Sequence, residues 1–322
     1  MKPILTALIC LVACTAQAHD YSKLMHEHKY AEAEKAASAK LAQDPKNADA
    51  LIARAELILN QGQEARMDEA VKLGEQCVAA HPQNSECHEI MGSLYSMKAA
   101  NGGMMSALSY AGKGREALLK AVELNPKNYG ARHVLMMFYL QAPGIAGGGK
   151  DKAQDLLLDT AKVNKDAAAL LQARLDLKED KFAHAESSAM SANTAGNDTL
   201  EDIQMGVLAS IAAQYREQKK FADSERLLRD VTKRAPNYLS GWALLGRTLA
   251  AQGKHEEAIA QFEKALTLED RAALHYRIAL SHQAMGDKAR AVQGFEKALA
   301  QKSGLDKKQR EDAEQQLKAL KA

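Results

Sequence analysis

Apolar residues along this chain recur three and four positions apart, the spacing of one face of a helix. The clearest run is Trp242, Leu245, Gly246 and Leu249, then a break at Gly253, then Ala258, Phe262 and Ala265. This predicts two short helices around a turn. Ile278, Ala279, Gly286, Ala291, Phe295 and Ala298 repeat the arrangement downstream, and Ile211, Ala212, Tyr215, Leu228 and Pro236 precede it. Between these positions stand Ala, Leu, Lys, Glu and Gln, which lose little rotamer freedom in a helix. One punctuation mark recurs: Asp44-Pro45-Lys46-Asn47, His81-Pro82-Gln83-Asn84, Asn125-Pro126-Lys127-Asn128 and Ala235-Pro236-Asn237. Proline cannot continue a helix and pushes the residue before it out of the α region, so each is a helix-to-helix turn.

The N-terminal half follows the same plan. Lys29-Tyr30-Ala31-Glu32-Ala33, Ala70 and Ala153 mark second helices, while Met91-Gly92-x-x-Tyr95 and Leu135-Met136-x-x-Tyr139 mark first helices. Small residues (Gly92, Gly246, Ala258, Ala265) let paired helices approach, and large ones (Trp242, Tyr95, Tyr139, Phe262, Phe295) fill the gaps between pairs. One pair cannot bury its apolar face alone, so pairs must stack. The unit from Trp242 to Ala265 resembles the tetratricopeptide repeat, whose period is about 34 residues. It departs from that pattern at Leu249, where Tyr is usual, and at Asp270, where Pro is usual. The resemblance runs over residues 19–304 in about eight units, weakest near Ala169 to Asn197. It implies an all-α, right-handed superhelical solenoid with a concave groove, and binding of other proteins rather than catalysis. Residues 305–322 read as a polar capping helix over the last apolar face.

The first residues read differently. Lys2, the apolar run Ile4 to Ala13 and Ala16-Gln17-Ala18 form a signal peptide, residues 1–18, cleaved before His19. The expected location is periplasmic or secreted. The alternative is Leu11-Val12-Ala13-Cys14 as a lipobox, which makes the chain a lipoprotein anchored through Cys14. No other apolar stretch is long enough to cross a bilayer. Cleavage after Ala18 leaves Cys77 and Cys87, which face each other across the Pro82 turn. In an oxidising compartment they are expected to form a disulfide, the alternative being two buried free thiols.

Composition narrows the function. The chain is 46% hydrophobic and 26% charged, which excludes a disordered protein. Lys and Arg total 43 against 41 Asp and Glu, a formal charge of +2, which argues against a nucleic-acid binder. His26-Glu27-His28 places its rings on different helix faces, and no His-Glu-x-x-His or Gly-x-Ser-x-Gly motif occurs. An N-terminal His19 offers its amine and ring to copper, with a second His elsewhere, but the simpler reading is that it merely follows the cleavage site. No metal, cofactor or enzyme activity is expected.

The intervals Pro45–Pro82, Pro82–Pro126 and Tyr139–Ala153 exceed one repeat. Insertions are expected near 62–69, 98–114 and 141–150, as inter-helix loops on one edge of the solenoid. Two are rich in glycine and methionine, which suits an adaptable contact surface. Partner contacts are therefore expected from Met104, Met105, Ile145 and Lys150 on that edge, and from His133, Met137, Arg247 and Tyr276 in the groove. Met97, Ile52, Glu56, Leu59, Leu140 and Leu280 are supporting candidates. The groove positions Ile52, Glu56, Glu89, Ser93, His133 and Met137 lack the Lys/Asn/Arg set with which some such repeats hold acidic tails. Gly144-x-x-x-x-Gly149-Lys150 is one residue short of a phosphate-binding loop, since Asp151 stands where Ser or Thr is needed; a glycine loop offering backbone N–H groups to an anion is the milder version. The leading reading is an exported scaffold that organises an envelope complex. The alternatives are a small-ligand or anion-binding protein using the glycine loops, or an accessory subunit of an envelope enzyme.

Overall fold

The computed structural model describes residues 20–27, 29–61, 63–101, 104–301 and 304–321, without the side chains at 20, 22, 64 and 104–106. The expected signal segment, Cys14, His19 and His28 lie outside the described residues, as do the side chains of Met104 and Met105. Among the described residues there are seventeen α-helices and no strand. They are α1 (Asp20–His26), α2 (Tyr30–Gln43), α3 (Ala48–Asn60), α4 (Met67–Ala80), α5 (Ser85–Asn101), α6 (Met104–Leu124), α7 (Tyr129–Gln141), α8 (Lys150–Val163) and α9 (Lys165–Lys178). Then follow α10 (Phe182–Ser191), α11 (Asp198–Glu217), α12 (Phe221–Arg234), α13 (Leu239–Ala251), α14 (His255–Leu268), α15 (Ala272–Ala284), α16 (Lys288–Ala300) and α17 (Lys307–Lys321). Each odd-numbered helix from α1 to α15 pairs with the even one after it, and the odd helices from α3 to α15 also touch one another in sequence. They form the inner layer of a solenoid, and the even helices form the outer layer.

The recurring turn works through its asparagine. Asn47, Asn84 and Asn128 each accept from the backbone N–H three residues on, at 3.1, 3.0 and 2.8 Å, and so cap α3, α5 and α7. Asn164 and Asn197 cap α9 and α11 in the same way. The proline carbonyl is also used. Six residues later a side chain donates to it: His88 to Pro82 at 3.0 Å, Arg132 to Pro126 at 2.7 Å and Trp242 to Pro236 at 2.8 Å. Three chemically different residues thus perform one task, which hides the periodicity from a letter-by-letter comparison.

Close helix approach sits where small residues stand. A Cβ on Gly246 would lie 2.6 Å from the Phe262 ring, and one on Gly92 would lie 2.5 Å from Leu118. The tight turn inside a pair needs a left-handed residue. Gly253 and Gly286 supply it at φ 78° and 80°, but Asp180 and Lys219 occupy the same conformation at 58° and 60°.

The insertions depart from expectation. Residues 98–101 and 104–114 are helical: they lengthen both helices of one pair, so that α5 reaches Asn101 and α6 begins at Met104. The extension is held by packing, with Tyr95 and Tyr110 rings 5.6 Å apart, Lys98 over Tyr110 at 4.9 Å and Lys98 bonded to Asp68 at 2.6 Å. Ala, Leu and Tyr outweigh the glycines locally, and Gly114 sits against Ser96 and Gly92 as a close-approach point. The third insertion is an ordered turn. Gly147, Gly148 and Gly149 donate their N–H groups to Gly144, Pro143 and Tyr139 carbonyls at 2.9, 3.2 and 2.9 Å. Those three donors are used internally, and helix α7 rather than a strand precedes the loop, so the glycines do not form the phosphate-binding loop of that motif. The first insertion holds a 3₁₀ turn, Glu64–Arg66, pinned by Arg66 to Glu34 and Glu69.

Cys77, in the last turn of α4, and Cys87, in the first turn of α5, are joined as a disulfide with Cα atoms 5.4 Å apart. Both are fully buried, with Leu51 packed beside them.

Candidate functional site

Inner-layer side chains meet in the concavity, and three groups stand out by charge. The first is neutralised by internal bonds. Arg174 on α9 donates to His133 on α7 at 3.0 Å and to Ser210 on α11 at 2.9 Å. Burial, then the neighbouring guanidinium, pushes the His133 imidazole down to about 3, so it stays neutral and accepts that bond.

The second is a row of arginines from three consecutive inner helices: Arg216 on α11, Arg247 on α13 and Arg277 on α15. Burial, then repulsion from Arg216 and Arg277, lowers the Arg247 guanidinium to about 10. Arg216 is nine-tenths buried, its side chain 10% exposed, and pairs with Glu217 through Nη2 at 2.6 Å. Its Nη1 is buried without a hydrogen-bond partner.

The third is a cavity of about 680 Å³ where the N-terminal helices reach across the superhelix to α11 and the turns after α12 and α14. His26 Nδ1 lies 3.0 Å from Asp202 Oδ1, and its Nε2 is 3.9 Å from Glu201 Oε2. Asp198, Glu201 and His26 bring one ligand atom each within 4.8 Å of one another and are the residues that could hold a divalent cation. Local spacing around His26 gave no hint of this, because its partners lie on α11. Glu56 on α3 also lines the cavity. Burial, with Glu86 and Asp202 nearby, pushes its carboxyl up to about 7. Glu89 on α5 rises to about 8 through burial and then Glu56, and Asp202 to about 6 through burial despite His26. The concavity therefore has an acidic stretch near α3–α5–α11 and a basic row along α11–α13–α15.

The residues expected to meet a partner are not all brought together. Ile145 is 86% exposed on the insertion turn, and Lys150 pairs with Glu179. That turn packs on α6, where Arg115 approaches Gly147, so the edge is continuous from α6 to α8. Met137 and Arg247 are half-buried on inner helices. Tyr276 must be removed from the groove. It is 7% exposed, packs on Phe295 with ring centroids 6.0 Å apart and donates to Asp312 of α17 at 2.6 Å. The capping helix claims it as core. Glu56, Glu89 and Asp202 had signals as inner-helix carboxylates, but Asp202 could be linked to the others only once the superhelix brought α11 opposite α1.

The family model of the tetratricopeptide repeat matches residues 240–271, one helix pair. No curated protein sequence matches the chain significantly. Among solved structures, yeast Tom70 is similar over 100% of this chain and 67% of its own, with 14% identity and a TM-score of 0.61. A chain of the APC/C hetero-tetramer Cut9-Hcn1 is similar over 93% of this chain at 15% identity and a TM-score of 0.49. This chain spans about half of it, 54%. A tetratricopeptide repeat protein from Parabacteroides merdae covers 94% of this chain and 96% of its own, with 18% identity and a TM-score of 0.41. The Tom70 likeness shows a shared solenoid fold of the tetratricopeptide type.

Proposed function

We propose that the chain is an exported scaffold that binds a protein partner along its concave face, aided by the α6–α8 edge, and that it organises a complex in the cell envelope without catalysis of its own. The carrying observation is the arginine row. Three like charges stand on neighbouring inner helices, one of them nine-tenths buried with an unmet Nη1, and their mutual repulsion costs stability. A partner segment that brings acceptors to the partly exposed Arg247 and Arg277 offsets the repulsion, and this is how a preorganised groove gains specificity. Export is supported by Lys2, the apolar run and Ala16-Gln17-Ala18, and by the Cys77–Cys87 pairing, which suits an oxidising compartment.

The test places a photo-crosslinking amino acid at Arg247 or Met137 in the groove, at Ile145 on the edge, or at Leu158, an exposed position on outer helix α8. Crosslinks from Arg247 and Met137 to one discrete partner in envelope extract, with none from Leu158, are expected. Equal labelling from all four sites refutes a groove. Sequencing the mature N-terminus checks export: a chain beginning at His19 supports it, an intact Met1 overturns it, and a lipidated Cys14 substitutes the lipoprotein form.

A further inference from the structure

We propose that the end of α1 and the first turn of α11 form a zinc site. His26 Nε2 and one carboxylate oxygen each from Asp198 and Glu201 bind one Zn²⁺, with water completing the shell, and the ion fastens the N-terminal helix across the superhelix. Asp202 is a positioning residue that holds the imidazole. This assignment is independent of the arginine-row groove.

Spacing, orientation and charge converge here. The ligand atoms of His26, Asp198 and Glu201 lie within 4.8 Å of one another, and His26 Nε2 is 3.9 Å from Glu201 Oε2. Around a tetrahedral zinc with bonds of about 2.1 Å, ligand atoms stand about 3.4 Å apart, so modest side-chain torsions close the shell. The ring is already turned for this task. Its Nδ1 donates to Asp202 Oδ1 at 3.0 Å, which leaves the Nε2 lone pair toward Glu201. A carboxylate behind the imidazole is how histidine ligands of zinc are commonly oriented. Glu201 is held likewise: its Oε1 accepts from the Gly196 N–H at 3.3 Å, while Oε2 is the oxygen nearer His26. No lysine or arginine pairs with Asp198, Glu201 or Asp202 among the described residues. The neighbouring cations are engaged elsewhere, Arg271 with Glu269, Arg234 with Asp230 and Lys29 with Glu27. The dipole of α11 accounts for acidic residues in its first turn. It does not account for an imidazole delivered from α1 with its free nitrogen toward them. That nitrogen also selects the ion, since calcium and magnesium take shells of oxygen whereas imidazole suits zinc. Entry is open, because the His26 and Glu201 side chains are 30% and 37% exposed.

The experiment titrates the purified full chain, stripped of metal, with Zn²⁺ against a chromophoric chelator, and with Co²⁺ as a spectroscopic probe. One Zn²⁺ per chain is expected, with Co²⁺ giving the intense visible bands of a four-coordinate site and with amide exchange in α1 slowing when Zn²⁺ is added. His26→Ala should abolish all three signals. Asp198→Asn and Glu201→Gln should each weaken Zn²⁺ by at least about tenfold. Asp202→Asn should weaken it by about tenfold while keeping the Co²⁺ bands and the metal-free melting temperature, which separates positioning from folding. Zn²⁺ binding that survives His26→Ala and is lost on His19→Ala or His28→Ala assigns the ion to other histidines and overturns the site. Displacement of Zn²⁺ by equimolar Ca²⁺ reduces the site to a patch of carboxylates and overturns it too, as does a chain that takes up no Zn²⁺.

Discussion

Reducing the Cys77–Cys87 bond should loosen one end of this solenoid and leave the other untouched. The bond closes a loop with a sequence separation of 10. In the chain-entropy account, a loop of that length removes about 9 cal/mol/K from the unfolded chain, or about 2.7 kcal/mol at 25 °C. The bridge joins the end of α4 to the start of α5, so it staples the second helix pair to the third. In a stacked array each pair depends mainly on its neighbours, so the loss should not spread evenly. Reduced wild-type chain, refolded after reduction in denaturant, keeps every core atom and isolates the cross-link. Amide hydrogen exchange followed by mass spectrometry should show protection in α3–α5 falling about a hundredfold, the equivalent of 2.7 kcal/mol at about 1.4 kcal/mol per decade. Protection in α13–α16 should stay within twofold. Cys77→Ala/Cys87→Ala should behave alike, with a further small loss from the two sulfur-sized gaps beside Leu51. An equal fall in α13–α16 would refute the neighbour-limited picture, and an unchanged α3–α5 would refute the loop-entropy argument.

Other expected outcomes follow from the same structure. Glu89 and Glu56 have folded-state values raised to about 8 and about 7, above an ordinary value of 4.5. The folded chain therefore binds more protons than the unfolded one between these limits, and their contribution to stability falls as pH rises from about 4.5 to about 8. Glu89→Gln should accordingly stabilise by about 1–3 kcal/mol at pH 8 in urea titration, allowing for water in the concavity, and by nothing at pH 4.5. A gain at pH 4.5 equal to that at pH 8 would show that ionisation is not the cause. Lys219→Gly relieves a left-handed residue at φ 60° and should raise stability by about 0.5–1 kcal/mol, read as a higher melting temperature. Gly246→Ala forces a Cβ to 2.6 Å from the Phe262 ring and should cost about 1–3 kcal/mol by the same measurement.

What was legible in the sequence was local. Proline turns, small-large alternation and the pairing of Cys77 with Cys87 are separated by at most one repeat, and hydrophobic periodicity encodes such relations directly. Residues 98–101 and 104–114 are hard to read because glycine and methionine count locally as loop formers, while the link by which Tyr95, Tyr110, Lys98 and Asp68 stitch two long helices together is tertiary. Tyr276 is hard to place for a related reason. Its position faces the groove in an uncapped repeat, and only the docking of α17, with Asp312 on its phenol, turns it into core. The acidic cavity was out of reach altogether. Its walls come from the N-terminal helices and from residues 192–271, far apart in the chain, and superhelical pitch, which sets what faces what, is a sum of small rotations that no single residue reports.

The contact between His26 and Asp202 joins points 176 residues apart in the chain. A row of stacked pairs behaves as a spring, free to lengthen and twist, and anything inside can leave sideways through the gap between successive coils. The side-chain contact that crosses this gap lies between groups 30% and 53% exposed. An exposed pair of that kind contributes at most about 1 kcal/mol, so it is a clip across the mouth of the coil and not a closed ring, and sideways entry stays open.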